Sequence, residues 1–394
     1  MDSVNSRFGH VAAVWRDMTL VFGGSRYEGP HATGWTPYDP ATIHCHKNGN
    51  WTIKVTTGAI PSIYDEAAHV IGDNLYVVKS YAIHKLNLTT FVWSKIVPRG
   101  TGPLACSTFT SWVRGEKIFL FGGAGHDREE GVQYPSSLTT SRAFGLVFTN
   151  NQLLYYDCKD NSWNWPVSYG DIPSPRGGAA AFSVLDTCVK SEGRVTSMKS
   201  FAFVMGGSTN SKYHYDLYIL DMDSMTWKSI KGHVTEMWPS ARRHHSLTLM
   251  SREYAVLYGG HCKERGHLGD CWLLDIRKCT SEMNPENMWT LCKTVGFNGR
   301  SKHAAIREPI SKSLWIVGGT INGSLHTSQH ILEMSYNADK TLQALAIASA
   351  AKNICRLQSR IDKLPNVIRL AIKREVQRER NPRSWLRSIT MQEK

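Results

Sequence analysis

The fold is decided by Arg242–Gly260, R-R-H-H-S-L-T-L-M-S-R-E-Y-A-V-L-Y-G-G. Two arginines and two histidines open it, a short alternating strand follows, and the apolar run Tyr254–Tyr258 ends on Gly259-Gly260. Paired glycines let a chain turn sharply where a Cβ would clash, at the end of a buried strand. The run before them is short and apolar, as a strand covered on both faces must be. The same ending recurs at Gly23-Gly24, Gly122-Gly123, Gly206-Gly207 and Gly318-Gly319. Arg7–His10, Arg176–Ala179 and Arg300–His303 stand where Arg242–His245 stands. After three of the glycine pairs comes a strand ending in Asp and then a tryptophan: Asp157 with Trp163, Asp221 with Trp227, and Asp275 with Trp289. A tryptophan there fills the gap between neighbouring sheets.

Successive glycine pairs lie 99, 84, 53 and 59 residues apart. The widest gap holds two units, because Ala67–Lys95 repeats the strand pattern with Lys79-Ser80 in place of the glycines. The next holds one unit with insertions near 124–150 and 186–200. Six units of roughly 50 residues resemble kelch repeats, whose fold is a β-propeller. The expectation is therefore an all-β, six-bladed kelch β-propeller over residues 1–340, followed by a short C-terminal helical segment over 341–394. Propellers usually close by joining strands from both chain ends in one blade. Only six residues precede Arg7, so either the last unit supplies its own outer strand or the N-terminus is truncated.

Composition narrows the function classes. The formal charge is +13, but twelve Lys/Arg against four Asp/Glu between Lys352 and Lys394 account for +8 of it. The basicity belongs mainly to the tail, which lacks aromatic interleaving beyond Trp385, so specific nucleic-acid reading is not expected. No apolar run is long enough to span a membrane. Met1–His10 carries no apolar signal core, so a secretory leader is not expected either. Nine cysteines without a C-x-x-C pair fit a reducing compartment and speak against a disulfide framework or structural zinc. His44-Cys45-His46 is the nearest approach to a metal set, and one local triplet cannot supply converging ligands. No catalytic residue, cofactor or metal is expected.

From Thr341 the pattern turns helical: Leu342, Ala346, Ala350, Ile354, Leu357 and Ile361 form one stripe, and Pro365 opens a second segment. Thr341-Leu342 with Ala346 and Ala350 is similar to an elongin-binding box, with Ala346 where a cysteine is usual. Leu364-Pro365-Asn366-Val367-Ile368 looks like the Leu-Pro element of a cullin box. With the six units, the whole chain resembles the kelch-repeat substrate receptors of cullin-RING ubiquitin ligases. The resemblance implies elongin B/C and a cullin, cullin-2 by this pattern, as partners, with a cytoplasmic or nuclear location. Leu342 would anchor in elongin C, Ala346 and Ala350 would allow close helix approach, and Leu364, Pro365 and Ile368 would meet the cullin. On pattern alone, the same stripe equally well packs against the propeller flank.

The resemblance also implies that loops on one propeller face grip a substrate's C-terminal carboxylate with arginines and a serine. A guanidinium fork matches a carboxylate in shape and charge. Carried over by position, one family arginine falls on Ser208 and a second on Tyr213, beside Lys212. The family's Ser-Trp pair falls on Arg243-His244, and its aromatic positions become Ser25 and Ala124. Arg243 and Lys212 are the residues able to rebuild an anion site, with His244 or His126 as further donors. A peptide C-terminus or an acidic motif is the expected ligand. Arg242 fits a structural role, and His10, His245 and His303 read as hydrogen-bonding residues of the blade core. The competing reading is a kelch interaction scaffold without a ligase role.

Overall fold

The computed structural model describes residues 7–27, 35–79, 82–144, 147–191, 194–210, 212–230, 238–280, 288–292, 299–321, 324–327 and 332–334. The chain divides into two compact units, Met1–Ser335 and Tyr336–Lys394. The expected helical segment, with Leu342, Ala346, Ala350, Leu364, Pro365 and Ile368, lies outside the described residues.

The first unit is a β-propeller. Its six main sheets follow one another along the chain, and their antiparallel strands run from inner to outer in sequence order; in the second and fourth sheets a two-residue strand that precedes the others, Thr57–Gly58 and Tyr169–Gly170, adds in parallel at the outer edge. The first comprises Val11–Trp15, Met18–Phe22, Thr42–Lys47 and Asn50–Val55. Inner strands of the others are Ala67–Ile71, Thr110–Arg114, Ala180–Ser191, Ser246–Leu249 and Ala304–Arg307. These six inner strands neighbour one another in a closed circle, with Ala304–Arg307 beside Val11–Trp15. Among the described residues the one helix is short, Ile276–Thr280.

The core lies between sheets. Each repeat tryptophan packs its own sheet against the preceding one: Trp93 between the first two, Trp163 between the second and third, Trp227 and Trp289 further on. All four are at most 5% exposed, so each contributes a large apolar area to a sheet-to-sheet joint.

The paired glycines join one unit to the next. The second glycine of each pair donates its N–H to the carbonyl of the residue opening the following unit: Gly24 to Ile63, Gly123 to Arg176, Gly207 to Arg242 and Gly260 to Arg300, all at 2.8 or 2.9 Å. Gly319 donates to Arg7 at 2.8 Å, so the last pair holds the first unit and the ring is closed by the same bond. A Cβ on Gly318 would lie 2.1 Å from the Arg7 carbonyl oxygen. The first sheet draws all its strands from residues 11–55, and the described strands of the sixth come from 304–334. Among the described residues, then, no strand is exchanged between the chain ends. Val21 packing on Val317, and His46 and Trp51 on Trp315, complete the seam.

The buried arginines serve the same joints. Arg7, Arg176, Arg242 and Arg300 each donate Nη1 to the carbonyl of the first glycine in their own unit, at 2.9–3.2 Å. Arg242 is fully buried and forks onto Asp270 at 2.7 and 2.7 Å, which gives it the expected structural role. The histidines of the repeat need a correction. His10 and His245 are buried and His303 is partly buried, yet only His303 bonds, through Nε2 to the Ser246 hydroxyl at 2.9 Å. Neither ring nitrogen of His10 or His245 has a partner among the described residues. Their rings instead fill the space left by glycines Gly318 and Gly206 of the adjoining unit.

Candidate functional site

Two residues before each inner strand, the six units meet in a ring of backbone. Gly9, Asp65, Thr108, Gly178, His244 and Lys302, one from each unit, all take left-handed conformations with φ between 53° and 68°. Amides link them in series: Asp65 donates to Gly9, Gly9 to Lys302, Lys302 to His244, His244 to Gly178 and Gly178 to Thr108, at 2.8–3.1 Å. Outside this ring stands a circle of hairpins, each beginning after a glycine pair and bridged back to the residue preceding the ring member. The bridges are Phe8 to Ser25, Gly177 to Ser208 and Arg243 to His261, with Ser107 to Ala124 and Ser301 to Thr320. The second unit, with Lys79-Ser80 for its glycines, has no described hairpin there.

The hairpins of the fourth and fifth units bring most of the anticipated residues together. Ser208–Thr209 pairs with Lys212–Tyr213, setting Ser208 opposite Tyr213. The Arg243 guanidinium lies over the Tyr213 ring at 5.0 Å, and its Nε is buried without a partner among the described residues. Tyr213 Oη meets His261 Nδ1 at 3.1 Å, and the His261 and His267 rings meet edge-on at 5.3 Å. Lys212 is exposed on the same hairpin. Ser208 is buried and its backbone is taken by Gly177. The His244 imidazole covers Gly178 and stays within electrostatic reach of Arg243 and His261. His126 is exposed beside the third hairpin, its amide on the Leu104 carbonyl.

Electrostatics assigns the positive charge here to Arg243 and Lys212. Burial, then the nearby Arg243, lowers the His261 imidazole, and burial, then His261, lowers His267. Burial pushes His244 down to about 4. At neutral pH these rings are uncharged donors and acceptors. Lys302 is not free to bind an anion, since its ammonium is held by Asp65 at 2.8 Å and Tyr64 Oη at 3.0 Å. A guanidinium with a buried Nε, stacked on a phenol beside neutral imidazoles, suits a carboxylate or another planar anion. Among the described residues no group of three or more His, Cys, Asp or Glu is placed to hold a metal, and no helix is long and apolar enough to cross a membrane.

Sequence reasoning missed His261 and His267. His261 follows its glycine pair as Ser208 follows Gly207, so aligning the units by that step would have found it. Tyr64, Asp65 and Lys302 were also missed.

Comparison with known proteins fits this architecture. The chain matches the KLHDC2/KLHL20/DRC7 Kelch-repeats domain over residues 9–193 and 139–347. It is 25% identical over 296 residues to Kelch domain-containing protein 2 of Bos taurus, covering 69% of this chain and 67% of that protein. To Kelch domain-containing protein 1 of Mus musculus it is 24% identical, covering 68% and 66%. To Host cell factor of Drosophila melanogaster it is 26% identical, covering 64% of this chain and 16% of that protein. A solved structure, that of YjhT, aligns over 85% of this chain and 96% of its own with a TM-score of 0.55 at 14% identity, a likeness of fold.

Proposed function

Since the chain belongs to the KLHDC2/KLHL20/DRC7 Kelch-repeats family, we propose that it is a non-catalytic substrate receptor of a cullin-RING ubiquitin ligase. Its propeller face takes a peptide C-terminus or an acidic motif. Residues 341–368 dock the receptor onto elongin B/C and a cullin, cullin-2 by the box pattern. Its place of work is the cytoplasm, the nucleus or both. The observation that carries the reading is the Arg243 guanidinium, stacked on Tyr213 with a buried, unpartnered Nε. An arginine so placed is a poor structural element and a good anion ligand, because a buried unpaired donor loses its hydration without compensation. Lys212 adds an exposed charge, and Tyr213 and His261 add neutral polar groups.

The test separates the two ends of the chain. Arg243→Glu loses bound peptides by about tenfold or more, as expected for one charge-assisted contact, while elongin still co-purifies. Leu342→Glu loses elongin and keeps the peptides. Peptide capture unchanged by Arg243→Glu removes the anion site. Elongin recovered equally with Leu342→Glu removes the docking assignment and leaves a kelch interaction scaffold.

A further inference from the structure

We propose that Cys271 and Cys292 are a thiol pair that a peroxide converts to a disulfide, tying together the two outer strands of the fifth sheet. Cys271 opens the strand Cys271–Asp275 and Cys292 ends the outermost strand Trp289–Cys292. The two residues are direct cross-strand partners in the antiparallel register. Residues so paired present their side chains on one face with Cα atoms about 4.5–5.5 Å apart. That spacing falls inside the roughly 4.4–6.8 Å that a disulfide spans, so the bridge forms with little backbone movement. Cys271 donates to the Cys292 sulfur, whose own thiol points to the Thr290 carbonyl of the same strand at 3.9 Å, and both cysteines are free. Other described thiols are engaged elsewhere: Cys262 donates to a Glu264 carboxylate oxygen at 2.9 Å, and Cys279 to Met288 Sδ at 3.8 Å.

The environments divide the roles. Cys292 is partly exposed, whereas Cys271 is 3% exposed. The hydrogen bond from Cys271 holds the Cys292 thiol below its ordinary value, and that same bond, followed by burial, pushes Cys271 up. Cys292 is therefore the attacking thiolate. It displaces hydroxide from hydrogen peroxide to give a sulfenic acid, its own proton joining that hydroxide as the first water. The Cys271 sulfur then attacks the Cys292 sulfur, forming the S–S bond. The leaving hydroxyl takes the Cys271 proton as the second water, so two thiols and one peroxide give one disulfide and two waters. The bridge lies one residue from Asp270, whose carboxylate clamps Arg242 beside Arg243.

The experiment treats the full chain with hydrogen peroxide, blocks remaining thiols with iodoacetamide under denaturing conditions, and maps the peptides without reductant. The expected result is one linked peptide joining Cys271 to Cys292, lighter by two hydrogen atoms and released by dithiothreitol. In Cys271→Ser the expected product is a sulfenic acid at Cys292, trapped by dimedone. Cys292 advancing to sulfinic acid in the unaltered chain while Cys271 is still alkylated would overturn the proposal. So would a link from Cys292 to any other cysteine, or both thiols alkylated in full after peroxide treatment.

Discussion

Four arginines occupy one position of the repeat, and their surroundings differ in a way that can be measured. Arg176 and Arg242 fork onto Asp216 and Asp270. Arg7 has no such partner among the described residues: Tyr38 covers its guanidinium at 4.1 Å, Nε and Nη2 meet no bonding partner there, and burial lowers it to about 10. The amides of His214, Leu268 and Tyr38 make the same bond to the second glycine of their units, and two residues on stand Asp216, Asp270 and Pro40. Pro40→Asp therefore supplies the missing carboxylate and raises stability by about 1–2 kcal/mol; a urea midpoint that does not rise counts against the pairing. The buried histidines set an acid limit. Burial holds His10 and His245 well below, and His303 at about 3 against, the usual value near 6.5. The neutral forms are favoured in the fold, so their contribution is complete above about pH 6.5 and shrinks as pH falls towards the folded values. Urea midpoints measured from pH 8 to pH 5 fall below about pH 6.5, and His303→Asn makes that slope shallower; a flat profile refutes the assignment.

At the scale of the element, the glycine pair is a joint between sheets, and its two requirements separate experimentally. Gly318 and Gly115 share a left-handed backbone, with φ of 62° and 59°, but a Cβ on Gly115 meets nothing within 4 Å. Gly115→Ala costs about 1 kcal/mol, the conformational penalty alone, whereas Gly318→Ala drives a Cβ into the Arg7 carbonyl and costs about 3 kcal/mol or more. Equal losses in thermal unfolding would mean that the joint tolerates a side chain. This requirement is why the fold was legible in the sequence: a backbone approach that only glycine permits leaves a mark at every joint where it occurs. Arg243 and Tyr213 were legible for a related reason, since each stands at a fixed step from a glycine pair. Their partners His261 and His267 were not, because contact between hairpins of neighbouring units depends on pairing register rather than spacing along one unit. The silence of His10 and His245 was hidden as well, for a histidine letter does not say whether its ring meets a donor or a methylene.

At the scale of the whole ring, the seam between the sixth and first sheets is held with no strand shared among the described residues. The ion pair of Lys302 with Asp65 reaches from the sixth unit to the second, over the first, and it fits because Gly9 has no side chain where Tyr64 and Asp65 lie. Partial burial of both groups makes this pair stronger than an exposed one. In a double-mutant cycle, Lys302→Gln and Asp65→Asn each destabilise the propeller by about 1–2 kcal/mol, with a coupling of about 1 kcal/mol between them; additive losses would show that the pair does not hold the seam. No spacing in the sequence announced this contact, since 237 residues separate its partners and only ring closure joins them. Because the described sheets keep to their own stretches of chain, gain or loss of one whole repeat by recombination would strand no half-built sheet, and the perimeter could grow or shrink in integral steps.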